Sequence, residues 1–66
     1  MQIVVNGRQQ AVADGTSLAE LLKKLDLNAQ QVAVEVNLQL VPRTEHAQHC
    51  LADGDSLEVV TIVGGG

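Results

Sequence analysis

The sequence predicts an α+β fold in which a single helix covers one face of a sheet of four or five strands. Three observations carry that expectation. Leu18, Leu21, Leu22 and Leu25 fall at the i, i+3, i+4, i+7 spacing of one helical face, behind a capping signal at Ser17. Apolar stretches with period-two or β-rich character flank it on both sides, at Gln2 to Asn6, Val32 to Val36 and Ser56 to Val63. Short turn signals separate these stretches, so the order reads β-β-α-β-β-β, and one helix with a four-leucine stripe covers one sheet face and no more.

The first strand, Gln2-Ile3-Val4-Val5-Asn6, runs into Asn6-Gly7, a strong two-residue hairpin signal. Gln9 to Ala13 makes the return strand, with Val12 as its main apolar residue, and Asp14-Gly15 ends it. Ser17 followed three residues later by Glu20 fits a capping box at the helix start, each side chain meeting an orphan backbone N–H. Glu20, Lys23 and Lys24 take the side of the helix opposite the leucines. In Val32-Ala33-Val34-Glu35-Val36 the period of two puts Val34 and Val36 on one face and Glu35 on the other. Asn37-Leu38-Gln39 turns the chain, and Leu40-Val41 is a short strand stopped by Pro42. Residues 43–50 read as irregular with one helical turn, Leu51 as a return to the core, and Asp53-Gly54-Asp55 as a tight turn. The final strand leads directly into Gly64-Gly65-Gly66, and the first and last strands are expected side by side in the sheet centre.

Composition narrows the function. A chain of 66 residues is one small domain, and a domain of that size buries only about 60% of the surface its unfolded chain exposes. Its single cysteine closes no internal disulfide, so the 21 Leu, Ile and Val residues must hold it together. Such a core leaves no room for an enclosed substrate cavity. Eight carboxylates against four basic residues give a net charge of −4, and there is no Phe, Tyr or Trp. Nucleic-acid binding requires cations to displace counterions, and single-strand binding adds aromatic stacking, so this class is excluded. The acid excess suits a protein partner with a basic docking surface. No apolar run reaches membrane-spanning length and the N-terminus has no positive signal region, so a cytoplasmic protein is expected.

Several residues invite chemistry that their setting does not support. His49-Cys50 lacks a third orienting group and a pocket, so Cys50 is read as a small apolar filler. His46 and His49 sit three apart with no third metal ligand near, and are read as solvated loop histidines. Asp53 and Asp55 lack the ligand number calcium needs, and turn chemistry explains them better. On the last strand, Leu57 and Val59 facing the helix would turn Val60 and Ile62 outward beside Glu58, as an apolar docking patch at the base of the tail. The tail itself is distinctive. Three residues extend about 10 Å at most, and glycine, lacking Cβ, passes where enzyme walls approach closely. Such an end suits delivery of a carboxylate into another protein's reaction centre.

MQIVVNG, Asp14-Gly15-Thr16 ahead of a leucine helix, Val34-Glu35-Val36-Asn37, Val41-Pro42-Arg43, Asp53-Gly54-Asp55 and terminal Gly65-Gly66, in this order and length, resemble the ubiquitin-like β-grasp family, specifically the sulfur-carrier proteins of bacterial thiamine biosynthesis. The resemblance implies a β-grasp domain over residues 1–63, a mixed sheet with one helix on one face, and a flexible glycine tail over 64–66. It implies that a ubiquitin-activating-type adenylyltransferase uses ATP to adenylate the carboxylate of Gly66, with Gly64 and Gly65 entering that partner's active site. Sulfur from a cysteine persulfide relay would replace AMP to give a thiocarboxylate, which thiazole synthase would accept. The chain would be a cosubstrate rather than an enzyme, with no bound cofactor or metal, and a monomer when free. Rival readings are the small sulfur-carrying subunit of molybdopterin synthase, a ubiquitin-like protein modifier, and an interaction domain with an inert tail.

Overall fold

In the computed structural model, which describes residues 1–62, five strands form one sheet in the order β2-β1-β5-β3-β4. They are β1 (Gln2–Val5), β2 (Arg8–Ala11), β3 (Val32–Val36), β4 (Gln39–Val41) and β5 (Ser56–Thr61), with one helix, α1 (Leu18–Lys24), between β2 and β3. β1 and β5 are parallel neighbours, paired at Val4 with Ser56 and Val5 with Leu57, as expected for first and last strands sharing the sheet centre. All other pairings are antiparallel. This is the β-grasp arrangement.

Each hairpin is set by its turn. Asn6 and Gly7 have φ of 50° and 82°, the two positive values that a two-residue turn matched to strand twist demands. Val12 lies just past the end of β2 and is buried, so the return strand starts and stops earlier than the sequence suggested, while its inward residue is the expected one.

Ser17 caps α1 as expected. Its hydroxyl accepts from the Glu20 N–H at 3.1 Å, and the Glu20 carboxylate accepts from the Ser17 N–H at 2.9 Å. That reciprocal bond to the Ser17 backbone, then the hydroxyl and Lys23, holds the Glu20 carboxyl below its ordinary range. The helix ends with Asp26 at φ 59°, the Asp26 N–H reaching Lys23 O and the Leu27 N–H reaching Leu22 O, a Schellman closure.

Leu18, Leu21 and Leu22 pack against Ile3, Val5, Val34 and Leu57, all nearly or wholly excluded from solvent. Leu51 joins them, as expected, and Leu25 is only half-buried. The opposite sheet face has no helix. β-strand alternation places Gln2, Val4, Ala33, Glu35, Leu40, Ser56, Glu58 and Val60 there.

Two sequence expectations fail between Pro42 and Leu51. Cys50 is exposed, not an apolar filler. It forms an isolated antiparallel bridge with Ser17, and the alternation that sends Leu51 into the core sends Cys50 outward. His46 is buried, not solvated. The single-turn 3-10 helix Arg43–Glu45 folds the chain back under β4, and the His46 Nε2 lies 3.0 Å from Val41 O. A carbonyl only accepts, so Nε2 carries the proton, and Nδ1 is left buried without a partner among the described residues. The backbone of this segment completes the helix start: the Leu18 N–H donates to His49 O and the Ala19 N–H to His46 O. With the Glu20 N–H on the Ser17 hydroxyl and the Ser17 N–H on the Glu20 carboxylate, all four orphan donors are met. The irregular segment is the cap of α1.

Candidate functional site

β5 leads toward the tail, and its hold on the sheet defines what the tail is mounted on. On one side β3 pairs with it along its whole length, from Val36 opposite Leu57 to Val32 opposite Thr61, and the Ile62 N–H continues to Gln31 O. On the other side β1 stops at Val5. The ladder is prolonged there by a side chain. Asn6 accepts from the Val59 N–H through Oδ1 at 2.8 Å and donates from Nδ2 to Val59 O at 3.1 Å, so its carboxamide acts as one further peptide of β1. Asn37 holds the start of β5 in a related way: its Oδ1 accepts from the Ser56 N–H, and its N–H donates to Ser56 O. Both asparagines have positive φ, 50° and 52°, which Asn tolerates better than most residues. Sequence reading took them only as turn residues, because their partner strand lies far along the chain.

Val60 and Ile62 are exposed on the helix-free side, as the alternation predicted, with Leu57 buried and Val59 half-buried against the core. Leu40 and Leu38 add to that face. Ile62 also borders a groove of about 270 Å³ with Ala33, Leu40, Pro42 and Arg43. Gly64, Gly65 and Gly66, the predicted carrier residues, lie outside the described residues, as does Val63.

The two aspartates of the last turn are occupied. Asp53 accepts from the Gln2 N–H at 2.7 Å, and Asp55 accepts from the Ala52 N–H and from Asn37 Nδ2. Both carboxylates thus fix turns, as their sequence setting suggested. His46 and His49 are separated by their environments, one buried and one half-buried, and no group of three or more His, Cys, Asp and Glu side chains suited to a metal occurs among the described residues.

A single helix gripped by a five-stranded mixed sheet, with the central strand running out toward a glycine-rich end, defines a small β-grasp domain of the carrier type. The chain matches the ThiS family over residues 3–66. It is 38% identical to the sulfur carrier protein ThiS of Escherichia coli, over the full length of both. It is 39% identical to a thiazole synthase of Paramagnetospirillum magneticum over all of this chain, which spans only 20% of that protein. The crystal structure of the thiamine biosynthesis protein ThiS of Geobacter metallireducens superposes with a TM-score of 0.86 at 33% identity, covering 100% of both chains. The chain therefore belongs to the ThiS family, the sulfur carriers of thiamine biosynthesis, and is a protein substrate rather than an enzyme.

Proposed function

We propose that Gly66 is the reactive residue of this carrier and that its carboxylate takes up and delivers the sulfur of the thiazole ring. A carboxylate is a poor electrophile because its charge is delocalised. Attack of its oxygen on the α-phosphorus of ATP, in the active site of a ubiquitin-activating-type adenylyltransferase, releases pyrophosphate and leaves an acyl-adenylate. The terminal sulfur of a persulfide then attacks the acyl carbon and AMP leaves. A thiol cleaves the remaining S–S bond, freeing the thiocarboxylate for thiazole synthase. Gly64 and Gly65 thread the narrow approach to each active site, and Val60 and Ile62 are gripped at its mouth. The carrier acts as a cytoplasmic monomer, with ATP bound by its partner.

The observation that carries this reading is the family match that runs through the glycines to residue 66. The thiazole synthase relative, in which a carrier-sized stretch similar to this whole chain forms part of a longer protein, favours thiazole synthase over a molybdopterin-forming partner as acceptor. Incubation with ATP, the activating enzyme and a persulfide donor tests the proposal by mass spectrometry. A mass gain of one oxygen-to-sulfur exchange is expected, and it should vanish on deletion of Gly66 with an unchanged thermal midpoint. Covalent protein adducts, or no change, would refute it.

A further inference from the structure

The two hairpins of this sheet use the same backbone turn with different residues. The first places Asn6 and Gly7 at φ 50° and 82°; the second places Asn37 and Leu38 at φ 52° and 71°. At the second position glycine is the residue without penalty, whereas leucine meets the steric clash between Cβ and backbone that closes this region to most side chains. Burial does not offset that strain, because Leu38 is 88% exposed, the most exposed large apolar residue described. Neither turn geometry nor the core accounts for a leucine here.

A second unfavourable choice lies beside it. Glu35 on β3 and Glu58 on β5 are direct cross-strand partners on the open face. Directly opposed residues have Cβ atoms about 5 Å apart, where like charges destabilise a sheet. The one ion pair among the described residues joins the N-terminal ammonium to Asp14, so no described cation pairs with either carboxylate. Leu38, Glu35, Glu58, Val60 and Ala33 line one groove of about 330 Å³. Both costs therefore converge on a single concavity, whose Val60 belongs to the strand that leads to the tail.

We propose that this groove is the seat for a cationic side chain, an arginine by preference, on the adenylating enzyme, with Leu38 as the apolar anchor beside it. The proposal rests on the carrier reading above and names what the partner must present. A planar guanidinium can bond both carboxylates at once, which a point charge does less well. Its aliphatic stem packs on Leu38 and Val60. Binding would convert the Glu35–Glu58 repulsion into attraction and bury the strained leucine. The chain's net charge of −4 adds attraction toward such a surface at longer range. The adenylating enzyme is the occupant because it must hold the base of the tail while the carboxylate is still unactivated, and Val60 is common to that base and to the groove.

The test uses variants that a purely structural role would move in the opposite direction. Leu38→Gly removes the strain, and Glu58→Gln removes the repulsion, so neither should lower the thermal midpoint. Each should nonetheless raise the carrier KM in ATP–pyrophosphate exchange with the adenylating enzyme by about thirtyfold, the loss expected of a hot-spot contact, at unchanged kcat. The Gly66-deleted carrier, with the groove intact, should give no exchange. If the unaltered carrier gives no exchange, the carrier reading falls and this inference with it. If that carrier exchanges while Leu38→Gly and Glu58→Gln keep its KM within about twofold, the inference alone falls. A rise in KM that only follows a drop in thermal midpoint, or a loss confined to thiazole synthase, would also overturn it.

Discussion

Replacing Asn6 by glycine isolates the side-chain clamp that prolongs β1 along β5. Asn6 sits at φ 50°, a conformation glycine adopts freely, so Asn6→Gly keeps the hairpin and deletes only the carboxamide. Two hydrogen bonds are lost, Val59 N–H to Oδ1 at 2.8 Å and Nδ2 to Val59 O at 3.1 Å. Each contributes about 0.5–1.5 kcal/mol net, and both are solvent-accessible, so a total loss of about 1–2 kcal/mol is expected. The few tenths lost to added glycine flexibility are offset in part by relief of the positive φ. For a domain of this size each kcal/mol shifts Tm by about 4–8 °C, so the midpoint should fall by roughly 4–16 °C.

Thermal unfolding followed by far-UV circular dichroism measures the shift. Amide hydrogen exchange should locate it: protection at Val59 should drop more than protection at Val34, whose ladder is untouched. Asn6→Asp supplies the control, since it retains the acceptor for the Val59 N–H but opposes a carboxylate to Val59 O. It should be no more stable than Asn6→Gly. A midpoint for Asn6→Gly within about 2 °C of the parent, with Val59 protection unchanged, would show that the carboxamide is not a working rung of the sheet.

The core and the cap give further tests. Leu21 is wholly buried where α1 meets the sheet, and Leu21→Ala should cost about 2–5 kcal/mol; total stability for 66 residues is on the order of 3–10 kcal/mol, so the urea midpoint should fall by roughly half. Ser17→Ala removes the hydroxyl that accepts from Glu20 N–H and should cost about 1 kcal/mol in the same titration. The folded Glu20 carboxyl lies below its unfolded value, chiefly through its bond to the Ser17 backbone, so its contribution is complete above the unfolded pKa and lost as pH falls through the folded one. Stability should therefore decline as pH drops below about 4.3, and Glu20→Gln should flatten that part of the profile.

What the sequence discloses here is local, and what it hides is long-range. The Ser17–Glu20 box spans four residues and the leucine stripe spans eight, so periodicity and cap chemistry suffice to place α1. The Asn6–Gly7 turn likewise names its own conformation. Val60 and Ile62 follow from counting twos along β5 once Leu57 is assigned to the core. The clamp of Asn6 on Val59 joins residues 53 apart, and nothing in MQIVVNG distinguishes a turn asparagine from one that also serves a distant strand. Cys50 and His46 were misassigned for the same reason. Their exposure depends on how segment 43–51 is laid across the helix start, through the Leu18 N–H to His49 O and Ala19 N–H to His46 O bonds, and no period governs that segment. Leu38 could have been noticed: a leucine following asparagine at a hairpin position that favours glycine is a mismatch visible in the letters alone.

The distribution of residues on the open face follows from the size of the domain. One helix covers one side of five strands, so the other side meets water whatever the function. Across the β2–β1 half and the start of β5, the sequence keeps that side polar or small with Gln2, Gln9, Ala11 and Ser56, leaving Val4 half-buried. Across the β5–β3–β4 half it places Val60, Ile62, Leu40 and Leu38, four of the five large apolar residues exposed in the described chain. Solubility would favour polar residues on both halves equally, and strand propensity would favour β-branched residues on both. Neither pressure produces the asymmetry. The proposed partner docking from the end of β5 would, because apolar surface gains affinity only where it is covered, and the half carrying it is the half from which the sequence continues toward Gly66.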